Sequence, residues 1–395
     1  MQNCYNNSER LRIAVLGLRG IPEVQGGVEK HCQELYSRLS ENGHAITVLA
    51  RKGYVPKKPY EYKKIKIIPL WAPKRKNIEA IWHTTYGIIW LSVNRRDYDI
   101  LHIHAIGPAL LAYFARKLGF RLVVTNHGLE YNRQKWGIIA KKMLRLGERL
   151  AARHACVVIA VSKQIKSLLY ENYGSVAAYI PNGVNLPEKV YSGITLSKFG
   201  LESERYFLAV GRLVPEKGFH NLLAAYVKLD TDWKLVIVGD SDHKDKYSLN
   251  LKKRAQQRDG VVMTGFQKWE SLSELYSNAG LFVLPSYHEG LPIVALEAMS
   301  YNLPILLSDI PANKEVALSE ETFPVGNVEA LSQKLQSYIE NPSILSSLQI
   351  SEKKKRRLET EFNWDVIAQK TANLYQSIAK MPSNVGEDAN KNMNL

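Results

Sequence analysis

Cysteine is scarce in this sequence: Cys4, Cys32 and Cys156 are the three it has in 395 residues. So few thiols exclude a disulfide framework and fit a reducing compartment. Long apolar runs are missing too. No stretch reaches the ~18 uninterrupted apolar residues that a transmembrane helix needs. The opening segment MQNCYNNSERLR lacks the apolar core of a signal peptide. A secreted scaffold, a collagen-like chain and a channel are set aside. Acidic residues are short in one half only. Residues 1–190 hold 13 Asp+Glu against 30 Lys+Arg, whereas residues 191–395 hold 25 against 23. The net charge of +15 therefore belongs to the first half, and is densest over Lys57–Lys76 and Arg133–Arg153. A basic surface on one side points to an anionic partner: nucleic acid, an anionic membrane or a phosphorylated substrate.

What is present is an ordinary globular composition, 45% hydrophobic and 23% charged, with length for two to three domains. Short apolar runs read as strands at Leu11–Leu18, Ala45–Ala50, Ile65–Leu70, Ile100–His104, Leu122–Thr125 and Val157–Val161. Helical patterns at Gly27–Asn42, Ile78–Val93, Pro108–Leu118 and Trp136–Arg153 separate several of them. Ile78–Val93 reads as a core helix. After residue 200 the alternation restarts, with strands at Tyr206–Val210, Lys234–Val238, Gly260–Thr264, Leu281–Pro285 and Ile305–Ser308. Helices are expected at Phe219–Leu229, Tyr247–Gln257, Ser271–Asn278 and Ile293–Met299, then at Val328–Glu340, Pro342–Glu361 and Trp364–Ile378. Pro181–Gly200 reads as a linker, and the Asn-rich end from residue 381 as disordered. The spacing predicts two doubly wound α/β domains, over residues 10–187 and 200–361, with a separate helix at 362–380. Ligands of such domains bind at the carboxyl ends of the strands, so a pair can face each other across a cleft.

Four places carry candidate chemistry. The loop Gly17–Gly27 joins the first strand to the first helix and ends in Gly26-Gly27, whose N–H groups can approach an anion; a tight turn needing glycines explains it as well. Arg212 and Lys217, five residues apart in GRLVPEKG, suit a diphosphate. In EGLPIVALE, Pro292 suits the first turn of a helix, so that Gly290 and Leu291 offer N–H groups just before it. Glu289 and Glu297 flank that segment. About 12 Å of helical rise would let them reach two ends of one extended ligand, such as a sugar and a ribose joined by a diphosphate. Glu297 falls inside an apolar helix and needs a bonding partner there. His127 follows a strand in TNHG, at a carboxyl end, where a structural role is as open as a catalytic one. His102 and His104 point the same way from one strand but lack further ligands for zinc. Asp240-Ser-Asp242 reads as a strand end rather than a metal motif.

Taken together, Gly26-Gly27, His127, Ser162 in AVSKQ, Asn182 in IPNGV, Arg212 with Lys217, and Glu289 with Glu297 resemble the retaining nucleotide-sugar glycosyltransferases of family 4. The resemblance runs from about Leu11 to Ile378. The stretches RGIPEVQGGVEKHCQELYSRL and HGLEYNRQKW look like the bacterial polysaccharide-building subgroup that includes rhamnosyltransferases. It implies a GT-B fold, two Rossmann-like domains facing a central cleft, with the last helix crossing back to the first domain. It implies that Arg212 and Lys217 neutralise the departing diphosphate, Glu297 holds the ribose and Glu289 the donor sugar. By the same analogy Gly290 and Leu291 offer backbone donors, Gly27 approaches the phosphates, and His127 bonds the sugar. No metal and no cofactor beyond the nucleotide-sugar donor is implied. The acceptor would be a glycan, free or linked to polyprenyl diphosphate, at the cytoplasmic face of the membrane. Trp136–Arg153, basic with interleaved apolar residues, is either a membrane-surface helix or an ordinary sheet-covering one. A nucleotide-sugar epimerase of similar fold is the alternative. A nucleic-acid partner lacks any supporting signature.

Overall fold

The structure, a computed structural model, describes residues 10–73, 78–133, 136–191, 193–241, 245–341, 343 and 351–381. Asp242, most of the segment 342–350 and the end from residue 382 lie outside these. The chain forms two compact units: one runs to Pro181 and resumes at Trp364, the other is Asn182–Asn363.

The first unit is built on β1 (Arg12–Leu16), β2 (Ala45–Arg51), β3 (Tyr60–Tyr62), β4 (Ile65–Leu70), β5 (Ile100–His104), β6 (Leu122–Asn126), β7 (Val157–Ala160) and β8 (Ala178–Tyr179). They join in the order β3-β4-β2-β1-β5-β6-β7-β8. Only β3 runs antiparallel, against β4. Alternation along each strand decides which face a side chain covers. Ile13 and Val15 of β1 join Val48 of β2 in one core with the helices Gly27–Glu41 and Trp364–Ala379, through Cys32, Leu35, Trp364 and Tyr375. The opposite face of β1 carries Leu16, which meets the helix Glu79–Val93 at Gly87. A Cβ on Gly87 would lie 2.5 Å from the Leu16 side chain, so a larger residue here would have to push Leu16 aside.

The second unit is a six-stranded sheet of β9 (Tyr206–Val210), β10 (Lys234–Val238), β11 (Val261–Gly265), β12 (Leu281–Leu284), β13 (Ile305–Ser308) and β14 (Thr322–Phe323). The order is β11-β10-β9-β12-β13-β14, all parallel. The first strand thus lies between β10 and β12, where the winding reverses. Loops diverge at such a switch point and leave a crevice at the carboxyl ends of the strands.

Three expectations change. Pro181–Gly200 is not a linker. Asn182 donates to the Leu291 carbonyl at 2.8 Å, and Val184 pairs with the backbone at Phe362 and Asn363. The helix Ile194–Phe199 lies within it, its N-terminal amides of Thr195 and Leu196 bound by the Glu274 carboxylate at 3.0 Å each. A cap supplied by an acid 79 residues away leaves no local signal. Ile78–Val93 is not a core helix: in Glu79–Val93 only a stripe of His83, Thr84, Gly87, Ile88 and Leu91 is buried, while Trp82, Tyr86, Ile89 and Val93 are exposed. Its apolar composition hid a two-faced helix. Lys163–Tyr173 is a further helix, with the Ser162 hydroxyl accepting from Ile165 N and Gly174 closing it in a left-handed conformation.

His83 is fully buried and neither ring nitrogen makes a hydrogen bond of ordinary geometry, although the Ala50 backbone stands close. Burial, with Arg51 nearby, pulls its pKa down to about 3. Unfolded, the ring takes up a proton near pH 6.5, so the stability it permits at neutral pH is lost as the pH falls from 6.5 toward 3. His83→Leu removes that term. Between pH 7 and pH 5 the wild type should lose about 2 kcal/mol more than His83→Leu in urea unfolding. Equal losses would contradict the assignment.

Candidate active site

In the second unit two loops meet at the carboxyl ends of β9 and β12. The first carries Gly211, Arg212 and the short turn Pro215–Lys217, then enters the helix Phe219–Tyr226 through Gly218. Gly218 has φ 68°, and a Cβ there would lie 2.1 Å from the Pro285 carbonyl oxygen. Only glycine satisfies both conditions. The second loop, residues 285–291, is tied to the first by Tyr287 N donating to Glu216 O at 2.9 Å. This close approach brings Lys217 to Glu289, Nζ to Oε1 2.6 Å, although 72 residues separate them. The Ser286 hydroxyl donates to the same oxygen at 2.6 Å. Glu289 Oε2 takes no partner among the described residues. Arg212 stands on the first loop, partly exposed.

Beyond Glu289 the backbone is a loop until the helix Ile293–Ser300, and Pro292 caps that helix rather than opening its first turn. The spacing from Glu289 to Glu297 is therefore not a helical rise. Helix accounts only for the part from Ile293. The N–H groups of Gly290 and Leu291 donate to nothing among the described residues, and Asn182 anchors the Leu291 carbonyl behind them. Glu297 is buried one turn into the helix, as the sequence predicts, with the Tyr276 hydroxyl donating to Oε2 at 3.1 Å. Burial first, then the Glu297 charge, pushes the Tyr276 pKa well above 10, so the phenol keeps the proton it donates.

The first unit has its own cluster. The loop from Gly17 to Gly27 is closed by an ion pair, Arg19 Nε to Glu29 Oε1 3.0 Å, both largely buried. Gly17, at φ 100°, abuts the His104 carbonyl, where a Cβ would lie 2.1 Å away. Gly26 caps the helix Gly27–Glu41. A Cβ on Gly27 would meet nothing within 4 Å, and the N–H groups of Gly26 and Gly27 are not used by the described residues. His127 follows β6, where Asn126 Oδ1 accepts from Gly128 N at 3.0 Å and shapes the turn. His127 Nε2 lies 2.9 Å from His104 Nδ1, and the His31 ring packs edge-on at 4.8 Å between centroids. His31, His104 and His127 thus bring ligating atoms within 4.8 Å of one another, a grouping that could hold a metal ion. The sequence reading found His102 and His104 on one side but did not single out His31. Its place on the buried stripe of Gly27–Glu41, next to Cys32, was the available signal. The Asp240-Ser-Asp242 motif yields no site: Asp240 pairs with Lys252 at 2.7 Å, and Asp242 lies outside the described residues.

Two sequence families divide the chain. "Glycosyltransferase Family 4" matches residues 25–188 and "Glycosyl transferases group 1" matches residues 196–357. The protein is a family 4-like GT-B glycosyltransferase. An uncharacterized glycosyltransferase of Methanocaldococcus jannaschii is 26% identical to it, over 94% of this chain and 99% of that protein. The UDP-Gal:alpha-D-GlcNAc-diphosphoundecaprenol alpha-1,3-galactosyltransferase of Escherichia coli is 30% identical, over 58% of this chain and 62% of its own. The crystal structure of Anabaena HepE in complex with UDP and glucose superimposes with a TM-score of 0.77 at 18% identity, covering 93% of this chain and 100% of that one. The glycosyltransferase thus has the two-domain Rossmann-like build expected. The epimerase alternative is not favoured, since both relatives are named as glycosyltransferases. No helix of the described residues is long and apolar enough to cross a membrane.

Gly218→Ala should drive the two loops apart and cost the second unit about 1–3 kcal/mol in urea unfolding, from overpacking against Pro285 and the left-handed backbone. An unchanged midpoint would contradict the packing described.

Proposed function

We propose that this glycosyltransferase moves a hexose or deoxyhexose, a rhamnosyl unit among the candidates, from a nucleoside-diphosphate sugar to a glycan acceptor. Transfer retains the anomeric configuration, and the acceptor is lipid-linked or growing, in the assembly of a bacterial surface polysaccharide. The contact between Lys217 and Glu289, beside the unused N–H groups of Gly290 and Leu291, is the observation that carries the reading. Breaking the sugar–diphosphate bond builds negative charge on the leaving group. Arg212, Lys217 and the two N–H groups stabilise that charge most in the transition state, when it is fully developed. With ligand absent, Glu289 neutralises Lys217. With donor bound, the lysine turns to the diphosphate and Glu289 to sugar hydroxyls, while Glu297, steadied by Tyr276, takes the ribose. In the first unit, His127 hydrogen-bonds the sugar and Gly26 and Gly27 present N–H groups to phosphate oxygens. The departing phosphate accepts the acceptor's proton, so neither a side-chain nucleophile nor a metal is part of the mechanism.

The acceptor side rests on the first unit's charge and exposed apolar surface. The helices Glu79–Val93 and Ile138–His154 both pack on the segment Pro108–Leu111. The first exposes Trp82, Tyr86, Ile89 and Val93, the second Ile138 and Ile139, 75% and 78% exposed. Lys142, Arg145 and Arg149 lie exposed on the second helix. Apolar side chains beside cations suit an anionic lipid surface, each base near it contributing about 1 kcal/mol. The relative in Escherichia coli, whose name specifies a diphosphoundecaprenol acceptor, supports an acceptor of that class.

Thermal shift with UDP, GDP, dTDP and their sugars should give stabilisation by one nucleotide, unaffected by EDTA. Lys217→Ala and Glu289→Ala should each lower sugar transfer by orders of magnitude while the fold survives; near-wild-type transfer by either would overturn the assignment. In vesicle flotation, Ile138→Ser with Ile139→Ser should release the protein from anionic liposomes. Wild-type protein that ignores such liposomes would remove the membrane element.

A further inference from the structure

At the carboxyl ends of β2 and β4 the first unit carries an exposed aromatic pair that the reaction outlined above does not use. The two strands are neighbours, with Arg51 in register with Leu70. Lys52 N donates to Leu70 O at 2.9 Å, so the segments leaving β2 and β4 emerge side by side. Trp71 is the first residue past β4, and Trp82 closes the first turn of the helix Glu79–Val93. Their rings meet at 87° with 6.0 Å between centroids, and the two residues are 56% and 51% exposed. Half-exposed indoles at a right angle form a corner of two flat apolar walls.

Polar groups stand beside this corner. Glu79 precedes Trp82 by three residues, so both lie on one face of the helix. The Tyr54 hydroxyl donates to Glu79 Oε2 at 3.2 Å, and Arg51 Nη1 lies 3.7 Å from the same oxygen. The Arg19 guanidinium braces Tyr54 from 5.5 Å above its ring centroid. Glu79 Oε1 makes no hydrogen bond among the described residues, and Glu79 is only partly buried. An acid in a first turn offsets the helix dipole, but that role needs neither a fixed carboxylate nor a tryptophan pair next to it.

The combination selects among ligands. An acyl chain needs apolar surface alone, and an anionic headgroup would meet the Glu79 charge. A pyranose ring has a face of C–H bonds and a rim of hydroxyls. The face packs on an indole, and a hydroxyl donates to a carboxylate oxygen. Farther along the helix, Tyr86, Ile89 and Val93 continue the exposed stripe with no further acid, as a lipid surface requires.

We infer that Trp71, Trp82 and Glu79 form a subsite for one pyranose ring of the acceptor glycan, stacked in the corner and hydrogen-bonded to Glu79 Oε1. Arg51 and Tyr54 are positioning residues that hold the carboxylate. The inference rests on the reading that the acceptor is a glycan, and names where a sugar unit of it binds.

The test is saturation-transfer-difference NMR of the full chain with the methyl α-glycosides of glucose, galactose, N-acetylglucosamine and rhamnose, irradiating aromatic protein protons. At least one glycoside should receive saturation, strongest at the ring C–H protons of one face. Trp71→Ala and Trp82→Ala, at half-exposed positions, should each raise its Kd on the order of tenfold. Trp82→Phe should keep most of the affinity, and Glu79→Ala should weaken binding several-fold. Flotation on anionic liposomes should change little in the tryptophan variants. Saturation of none of the glycosides overturns the inference, as does binding that survives in both alanine variants. So does lost flotation with sugar binding intact, which would give the pair to the lipid surface. Thermal shift with nucleoside diphosphates tests the proposed reaction separately. If no nucleotide stabilises the protein while Trp82→Ala still loses the glycoside, the subsite stands and the donor reading falls.

Discussion

The backbone of Gly218 against the Pro285 carbonyl is the constraint on which the crevice of the second unit depends. It exists because residue 218 has no side chain and a left-handed backbone, and because β9 and β12 are neighbours at the point where the sheet reverses its winding. From that approach follow the backbone bond between Tyr287 and Glu216 and the meeting of Lys217 with Glu289. A loop cation, a loop acid and two unused N–H groups then occupy one crevice. Any single one of them would be an ordinary surface feature. Together they can bind an anion and one neutral polar group beside it, which is what a nucleotide sugar offers.

The first unit works by a different device. Its partly exposed histidine, His127, is placed by burial rather than by loop convergence. Helices from opposite ends of the chain, Gly27–Glu41 and Trp364–Ala379, share one core, and each sends a tyrosine to the histidine pair on β5. Removing these polar groups from water would be costly if they were unpaired. Hydrogen-bonded in sequence, they lead to the partly exposed ring of His127. The other face of the same sheet is covered by helices that keep aromatic and aliphatic side chains outside, beside exposed lysine and arginine.

Much of this was legible in the sequence. Buried parallel strands announce themselves as short apolar runs, and β4, β5, β9, β10 and β13 fall on the residues their pattern marks. Strands of two or three residues, such as β3, β8 and β14, are too short to show a period. Glu297 demanded a partner because a carboxylate in an apolar helix is costly alone, but nothing local named Tyr276. Lys217 and Glu289 were each visible as candidates, yet their contact is a product of the tertiary fold. Ser162 entered the sequence reading only within a family motif, although a serine before an apolar helical pattern and a glycine after it already mark Lys163–Tyr173 as a helix. His31 lies on the buried stripe of Gly27–Glu41, a place that marks it as a core residue; β5 and β6, by bringing His104 and His127 to it, make it part of a cluster.

The most direct test of the central claim compares the affinity of the preferred nucleoside diphosphate with that of its nucleoside, by calorimetry, in wild type and in Lys217→Ala. If Lys217 serves the diphosphate, the wild type should favour the diphosphate strongly and the variant should lose most of that preference, with nucleoside affinity little changed. A preference that survives intact in Lys217→Ala would contradict the account.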